Sequence, residues 1–281
     1  MSDEKRTAPV GIYDSGVGGL SILSALTSLL HQERFYYVAD GFHCPYGDRA
    51  EQEIIQLSLG VARHLVESGC KAIVVACNTI SATSLPALRA AFPKVPIIGM
   101  VPAVKPAIEL THTGVVGVLA TSATVKGRLY LDVLARYGGD TRVVSQPCPG
   151  LVERIEAGDL DGPDTERLVR ACLNPIMAAG ADVIVLGCSH YPFVRPLIER
   201  LVGPGVRIIE PSDAIALQTR RVLERQALCS AGRSAAEPQV HFATSGDTRS
   251  LEASVLRLVG ISATADQLVW RDGALTGAPA G

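Results

Sequence analysis

Short apolar strands alternate with amphipathic helices along almost the whole chain, and this alternation constrains the fold more than any other feature. A first strand, predicted at residues 10–13, is followed by the glycine-rich turn 14–19 and a helix at 20–31. Because strands that alternate with helices form parallel sheets covered on both faces, the pattern predicts an α/β fold. Further strands are predicted at 35–39, 71–76, 96–99, 114–120, 142–144, 182–186, 206–209 and 240–244, and further helices at 51–68, 84–91, 125–137, 164–179, 194–201 and 212–228.

The second half of the chain repeats the first. The segment "PVGIYDSG" at 9–16 aligns with "VVGVLATS" at 115–122, and "AIVVACNT" at 72–79 aligns with "VIVLGCSH" at 183–190. The offsets are nearly equal (115 − 9 = 106 and 183 − 72 = 111), and the two matches keep the same order. A duplicated α/β unit is therefore predicted, with Cys77 and Cys188 at equivalent positions.

The duplication predicts two pseudo-symmetric, doubly wound domains whose mainly parallel sheets face one cleft. Residues 100–210 would form the second domain. Residues 211–281 contain no complete α/β unit, so we expect them to pack back on residues 1–99 and complete a discontinuous first domain. The small residues of the tail, 273–281, predict a segment without regular structure.

Charge and hydropathy exclude two classes of partner. The chain has 281 residues and a formal net charge of −2, so it lacks the basic surface that binds nucleic acid. No apolar run approaches the roughly 18 residues of a membrane-spanning helix, and the N-terminal "MSDEKRTAPV" lacks the apolar core of a signal peptide. We therefore expect a cytoplasmic protein without a nucleic-acid or membrane partner.

Seven cysteines are scattered along the chain, an odd number without close pairs. This pattern does not indicate a disulfide framework, and the lack of a C-x-x-C pair argues against a structural zinc site. No metal is therefore predicted. Most of the thiols are expected to be buried and inert, as free cysteines usually are.

Polar residues follow several predicted strands at the point where each strand ends. Ligands of open parallel sheets bind beyond these carboxyl ends, so the polar residues there form the candidate site. Two facing halves would place Cys77 and Cys188 on opposite walls of the cleft. The candidates are Asp14, Ser15, Cys77, Asn78, Thr79, Thr121, Thr124, Cys188, Ser189 and His190, and Tyr46 in the turn "CPYGDR" could add a hydroxyl.

The two cysteines suggest proton transfer. Each one alone is more often a core residue, but their equivalent placement favours a function for the pair. A thiol with the ordinary pKa of about 8.5 needs help to act as a base, and a following helix N-terminus favours the thiolate. Asp14 and His190 are candidates to exchange protons with the thiols, although each residue alone would more often have a structural role. The turn "DSGVGG" completes neither the dinucleotide motif nor a P-loop, and its glycines are typical of a tight turn.

These motifs, in this order, resemble the glutamate racemases of the aspartate/glutamate racemase superfamily. The resemblance extends from about residue 10 to 260 and rests on "GIYDSGVGGLSIL", "PYG", "ACNTISA", "LGCSHYPFV", "VGVLATSATVKGRLY" and the late "TSGD". It implies a cofactor-independent racemase of a small acidic amino acid, in which one thiolate removes the α-proton and the opposite thiol protonates the other face. It also implies that D-glutamate is supplied for peptidoglycan synthesis, and a homodimer is expected.

The resemblance assigns roles to individual residues. It implies that Cys77 acts on the D-enantiomer and Cys188 on the L-enantiomer, with Asp14 and His190 assisting as further catalytic residues. No feature identifies a Schiff-base lysine, in keeping with the absence of pyridoxal phosphate from the family. The implied substrate-binding set is Asp14, Ser15, Tyr46, Gly47, Asn78, Thr79, Thr121, Thr124, Ser189 and His190.

Some residues depart from the family pattern. Ala39-Asp40-Gly41 stands where the family usually has Gly-Asp-Thr, Ser189 replaces the usual Thr, and "GMVPAVKPA", with Met100-Val101-Pro102, replaces a stretch that commonly carries Glu-Pro. His43 and Cys44 are also unusual. These departures leave the side-chain specificity open to aspartate or a modified acidic amino acid. An enzyme that isomerises or decarboxylates its substrate could share this fold, as could a catalytically silent carboxylate-binding protein. The presence of both thiols argues against each of these functions.

Overall fold

Two sheets, each covered by helices, form the protein. The computed structural model describes residues 6–230, 232 and 239–277. The larger sheet has seven strands in the order β11-β10-β9-β2-β1-β3-β4 and the smaller has four in the order β6-β5-β7-β8. Their bounds are β1 Val10–Asp14, β2 Phe35–Ala39, β3 Ala72–Val75, β4 Ile97–Ile98, β5 Val115–Ala120, β6 Arg142–Pro147, β7 Val183–Gly187, β8 Arg207–Ile209, β9 Val240–Thr244, β10 Ala265–Arg271 and β11 Ala274–Gly277.

Helices connect these strands in the βα alternation that the sequence predicts. Their bounds are α1 Leu20–Leu29, α2 Glu51–Glu67, α3 Asn78–Ala91, α4 Val104–Leu110, α5 Ser122–Lys126, α6 Arg128–Tyr137, α7 Leu151–Glu156, α8 Pro163–Ala178, α9 Arg195–Val202, α10 Ser212–Arg225 and α11 Thr248–Val259, with a 3₁₀ turn at Tyr191–Val194. Within the described residues, no helix is both long and apolar enough to span a membrane.

The two halves share one topology, so the prediction of pseudo-symmetric parallel sheets is confirmed. The order β2-β1-β3-β4 in the larger sheet corresponds to β6-β5-β7-β8 in the smaller one. The pairing register agrees as well, because Val10 lies opposite Ala72 while Val116 lies opposite Val183. These pairs keep the sequence offsets of 106 and 111 between the repeats (116 − 10 and 183 − 72).

Side chains alternate between two cores on either side of the larger sheet. Strand β1 sends Val10 and Ile12 into one core and Tyr13 into the other. Two more cores flank the smaller sheet, where Leu119 faces one side and Val118 the other. Burial on both faces explains why these strands are nearly continuous apolar runs. Such strands leave polar residues only at their ends.

The C-terminal segment completes the larger sheet. Strand β9 pairs with β2 in parallel, β10 pairs with β9 in parallel, and β11 returns antiparallel to β10. The prediction of an unstructured tail is therefore wrong for residues 274–277, while residues 278–281 lie outside the described part of the chain. A turn at Asp272 and Gly273, both with positive φ, directs the chain back. Burial of Leu275 then fixes β11 against α2.

Two further expectations need correction. Helix α3 begins at Asn78 rather than at 84, because the polar residues after Cys77 are the first turn of a buried helix and not a loop. The cysteines also include one disulfide, between Cys148 at the end of β6 and Cys172 in α8. A separation of 24 residues does not indicate a disulfide in the sequence. The packing of α8 against the smaller sheet brings the two cysteines together.

Candidate active site

The predicted site residues lie at the carboxyl ends of the central strands. Asp14 ends β1, Cys77 follows β3, Thr121 follows β5 and Cys188 follows β7. Asp14, both cysteines and His190 are buried. The pair β1 and β3 in one sheet and the pair β5 and β7 in the other therefore supply equivalent groups.

Cys77 occupies the N-cap position of α3. The nearby backbone N–H groups of Thr79 and Ile80 act to lower the pKa of its thiol, which favours the thiolate, although the sulfur makes no cap hydrogen bond within the described part of the chain. Burial and the negative charge of Asp14 outweigh these donors and raise the pKa of the Cys77 thiol well above its ordinary value of 9.0. Burial and the charge of Asp14 therefore favour the neutral thiol at Cys77.

Asp14 connects the two halves at the base of the site. Its carboxylate accepts hydrogen bonds from the Ser15 hydroxyl at 3.1 Å and the Gly16 N–H at 3.2 Å. The Ser189 hydroxyl, from the other half, donates to it at 3.0 Å. Burial raises the pKa of Asp14 above 3.8, although the positive charge of His190 and these donors act in the opposite direction. Asp14 is thus placed to hold or release a proton.

A relay of three side chains lies on the Cys188 side. The sulfur of Cys188 is 3.9 Å from Nδ1 of His190, and Nε2 of His190 is 2.6 Å from Oε1 of Glu156. Burial opposes the charged ring, but the hydrogen bonds to Cys188 and Glu156 and the negative charge of Glu156 raise the pKa of His190 well above 6.5. Burial would raise the pKa of Glu156, yet the contacts with His190 lower it below 4.5. The two groups form an ion pair.

The glycine-rich turn brings the two halves into contact. A Cβ atom on Gly16 would lie 2.0 Å from Oε1 of Glu156, and one on Gly18 would lie 2.3 Å from Nδ1 of His190. The backbone N–H of Val17 donates to Glu156 at 2.8 Å. The turn "DSGVGG" therefore packs directly against the Glu156–His190 pair.

The hydroxyl and amide groups of the cleft are only partly satisfied by one another. Thr79 and Thr121 lie 2.8 Å apart through their Oγ1 atoms, and Thr121 lies 2.9 Å from Thr124. Asn78 is 1% exposed, and neither polar atom of its amide has a hydrogen-bond partner among the described residues. Because an unpaired buried amide costs free energy, Asn78 marks a place for a polar ligand.

Hydrogen bonds fix the Tyr46 loop between the two halves. The Tyr46 hydroxyl donates to Asp40 at 2.5 Å and accepts from Tyr13 at 3.0 Å, so it is held inside the first half. Gly47 lies against Thr121, where a Cβ atom would be 3.1 Å from the threonine Cβ. Its carbonyl accepts the N–H of Ala123 at 3.1 Å. The loop therefore joins the halves through its backbone.

Sequence reasoning missed Glu156 and Asp40 as site residues. Glu156 ends α7, a six-residue helix that was not predicted, and its role arises from contacts with residues 34 and 139 positions away. A lone Glu among 28 acidic residues has no distinguishing signal. Asp40 accepts hydrogen bonds from Ser245 and from Trp270 at 2.7 Å, both distant in sequence.

Two equivalent α/β halves with a cysteine after matching strands define a protein of the Asp/Glu/hydantoin racemase class. The model of the Asp/Glu/hydantoin racemase family matches residues 21–219, and the chain belongs to this family.

Within that class, the chain belongs to the glutamate racemases. The glutamate racemase of Ectopseudomonas mendocina is 44% identical over 253 residues, which cover 90% of this chain and 95% of that protein. A glutamate racemase isoform from Bacillus anthracis superposes with a TM-score of 0.86 at 30% identity, covering 96% and 99% of the two chains. The Escherichia coli glutamate racemase, in complex with L-glutamate and the activator UDP-MurNAc-ala, has a TM-score of 0.81 at 30% identity and coverage of 96% and 100%.

Proposed function

We propose that this protein interconverts L- and D-glutamate without a cofactor, with Cys77 and Cys188 as the two acid/base groups. The observation that carries the proposal is the placement of two buried thiols after β3 and β7, the equivalent strands of the two halves. A racemase needs a base on one face of the α-carbon and an acid on the other, and the roles must exchange for the reverse reaction. Two matched thiols meet that need.

Each half-reaction moves one proton. From D-glutamate, the Cys77 thiolate would take the α-proton while the Cys188 thiol gives a proton to the opposite face, which yields L-glutamate. In the reverse direction the Cys188 thiolate takes the proton and Cys77 gives one. Asp14 would exchange a proton with Cys77, whose pKa its charge raises. The His190–Glu156 pair would do so for Cys188, which lies 3.9 Å from the ring.

Hydrogen-bond donors in the cleft would hold the substrate. The unpartnered amide of Asn78, the hydroxyls of Ser15, Thr79, Thr121, Thr124 and Ser189, and the backbone at Tyr46 and Gly47 are the proposed contacts. Such donors, placed where negative charge develops, stabilise a carbanion-like transition state in a water-poor site. The E. coli relative in complex with L-glutamate supports this choice of substrate.

The remaining expectations belong to the same proposal. We infer that residues 1–99 with 211–281 and residues 100–210 act as two domains that border the cleft. We also infer a cytoplasmic homodimer that supplies D-glutamate for peptidoglycan synthesis. Membership of the glutamate racemase family supports these points. Light scattering of the purified chain tests the dimer.

Exchange of the substrate α-hydrogen with solvent deuterium tests the mechanism. We expect the unmodified protein to exchange both enantiomers of glutamate and to racemise them in a circular-dichroism assay. Cys77→Ala should lose exchange from D-glutamate, Cys188→Ala should lose it from L-glutamate, and both should lose racemisation. Cys70→Ala is the matched control, because Cys70 is also a buried free cysteine but packs in the core below Gly11.

Three results would refute the proposal. If the α-hydrogen of neither glutamate nor aspartate exchanged, the protein would be a silent binding protein. If only that of aspartate exchanged, the assignment of glutamate as the substrate would be wrong. If both cysteine variants kept exchange of both enantiomers, the assignment of the two thiols would fail.

A further inference from the structure

We propose that Cys44, Glu156 and His190 form a binding site for Zn²⁺ or a similar divalent transition metal, and that the bound ion inhibits the enzyme. The site joins the loop after β2, the end of α7 and the turn after β7. These residues are 112 and 34 positions apart in sequence, so no metal-binding motif indicates them. Cys44 has no assigned part in the reaction.

The geometry brings three ligand atoms of different kinds together. One nitrogen of His190, one carboxylate oxygen of Glu156 and the sulfur of Cys44 all lie within 4.8 Å of one another. Nε2 of His190 is 2.6 Å from Oε1 of Glu156, and the Cys44 sulfur is 3.5 Å from the same oxygen. Ligands of tetrahedral Zn²⁺ at about 2.0–2.3 Å from the ion stand roughly 3.3–3.8 Å apart. The ion therefore requires the His190–Glu156 contact to widen by less than about 1 Å, and the Cys44 sulfur and the His190 nitrogen, which lie within 4.8 Å of one another, to come into the same range.

The chemical types of these ligands select the class of metal. Thiolate and imidazole favour Zn²⁺ and its neighbours over Mg²⁺ and Ca²⁺, which prefer oxygen. Three protein ligands leave one position open, as in zinc sites that keep an exchangeable ligand. The ion would replace the proton that His190 and Glu156 share.

Neighbouring groups hold two of the three ligands, Cys44 and Glu156, in place. The loop that carries Cys44 is fastened by Asp40, which accepts hydrogen bonds from Tyr46 and Trp270. The Val17 N–H orients Glu156 at 2.8 Å. Partners of this kind fix metal ligands in orientation and raise their affinity for the ion.

A path from the surface reaches the site. The Glu156 side chain is 27% exposed. It lines a cavity of about 210 Å³, together with Gly16, Gly41 and Thr244. This opening lies between the end of β9 and the glycine-rich turn, so an ion can reach Glu156 from this side. Rotation of the part-exposed Glu156 side chain supplies the small movement that the ion requires.

The inhibition, but not the binding, rests on the proposed function. An ion on Nε2 of His190 removes the ion pair with Glu156 and fixes the ring as a metal ligand. His190 can then no longer exchange a proton with Cys188. Racemisation should stop in both directions, because Cys188 must donate a proton in one direction and accept one in the other.

Co²⁺ serves as the spectroscopic probe and Zn²⁺ as its competitor, with the full chain in reduced form. We expect one Co²⁺ per chain, with the near-ultraviolet charge-transfer band of a cobalt–thiolate bond, displaced by Zn²⁺. Cys44→Ser should abolish the band and weaken binding about tenfold or more, by comparison with the 10–100-fold cost of losing only an outer-shell partner. The double variant Cys77→Ser/Cys188→Ser should keep the band.

Activity provides the second measurement. Zn²⁺ should inhibit racemisation by the unmodified enzyme, EDTA should restore it, and Cys44→Ser should stay active with at least about tenfold lower sensitivity to Zn²⁺. The proposal is overturned if no cobalt–thiolate band forms, if the band survives Cys44→Ser, or if the double variant loses it, since the reaction thiols would then be the ligands. Cobalt binding without any racemisation would instead overturn only the proposed function.

Discussion

Replacing Gly18 by alanine tests whether the glycine-rich turn positions the Cys188 relay. A Cβ atom at residue 18 would lie 2.3 Å from Nδ1 of His190 and 2.5 Å from Oγ of Ser189. Ordinary van der Waals contact begins near 3.4 Å, so the ring must move by about 1.1 Å (3.4 − 2.3). His190 is 2% exposed, so the ring would have to move within the protein interior.

The cost follows from the contacts that the ring would lose. Displacement breaks the 2.6 Å hydrogen bond from His190 to Glu156. A hydrogen bond between charged groups contributes about 1.5–3 kcal/mol, which corresponds to roughly 10–100-fold in rate if the bond acts in the transition state. Overpacking a buried position lowers the free energy of unfolding by about 1–3 kcal/mol. We therefore expect Gly18→Ala to fold with reduced stability and to lose most of its activity.

The assay measures kcat/KM for L- and D-glutamate by circular dichroism, together with urea unfolding. Both values of kcat/KM should fall by the same factor, because the equilibrium constant between enantiomers is fixed at one. Gly117→Ala is a matched control, since its Cβ would lie 2.3 Å from Ile176 in a core under β5, away from the relay. It should lose stability but keep its activity per folded molecule. Gly205→Ala, with open space around it, should change neither. Unchanged kcat/KM in folded Gly18→Ala would refute the reasoning.

Three further predictions concern other groups. Asn78→Ala should raise KM for glutamate by roughly 10–100-fold without lowering the unfolding free energy of the ligand-free protein, because the amide has no hydrogen-bond partner among the described residues; a loss of stability would contradict this. Lys71→Met should lower the unfolding free energy by about 3–5 kcal/mol by leaving the buried Glu33 unpaired, and Lys71→Met/Glu33→Leu should recover part of it. The stability that the unmodified protein gains over His190→Gln should be largest between about pH 4.5 and 6.5. It should fall as the pH rises through the raised pKa of His190, and also as the pH falls through the lowered pKa of Glu156; a gain that grew as the pH rose above about 6.5 would contradict the ion pair.

Local sequence patterns were sufficient to predict the sheets and the equivalent positions of the two thiols. Strands buried on both faces are apolar runs, and the chain shows each run and the polar group that ends it. Strand β2 was predicted with its observed bounds, and so was β9. The equivalence of Cys77 and Cys188 followed from comparing two such runs, because a duplicated unit repeats its own order.

Local patterns failed where a contact between distant residues decides the structure. The first turn of α3 is polar and resembles a loop, since the neighbouring half that buries it is invisible in the local sequence. Strand β11 is four residues of low β-propensity, made regular by the hydrogen bonds that β10 provides. The Cys148–Cys172 disulfide likewise depends on how α8 lies on its sheet.

The sequence by itself thus determined the two α/β halves and the thiol at the end of β3 and of β7. Only the tertiary structure decided what surrounds those thiols. Glu156 reaches His190 across 34 residues within the second half. Cys44 reaches Glu156 across 112 residues, because the turn at Gly16 and Gly18 lets the two halves approach closely. Burial periodicity is a local property of the chain, whereas an ion pair between loops depends on the distance between two folded surfaces.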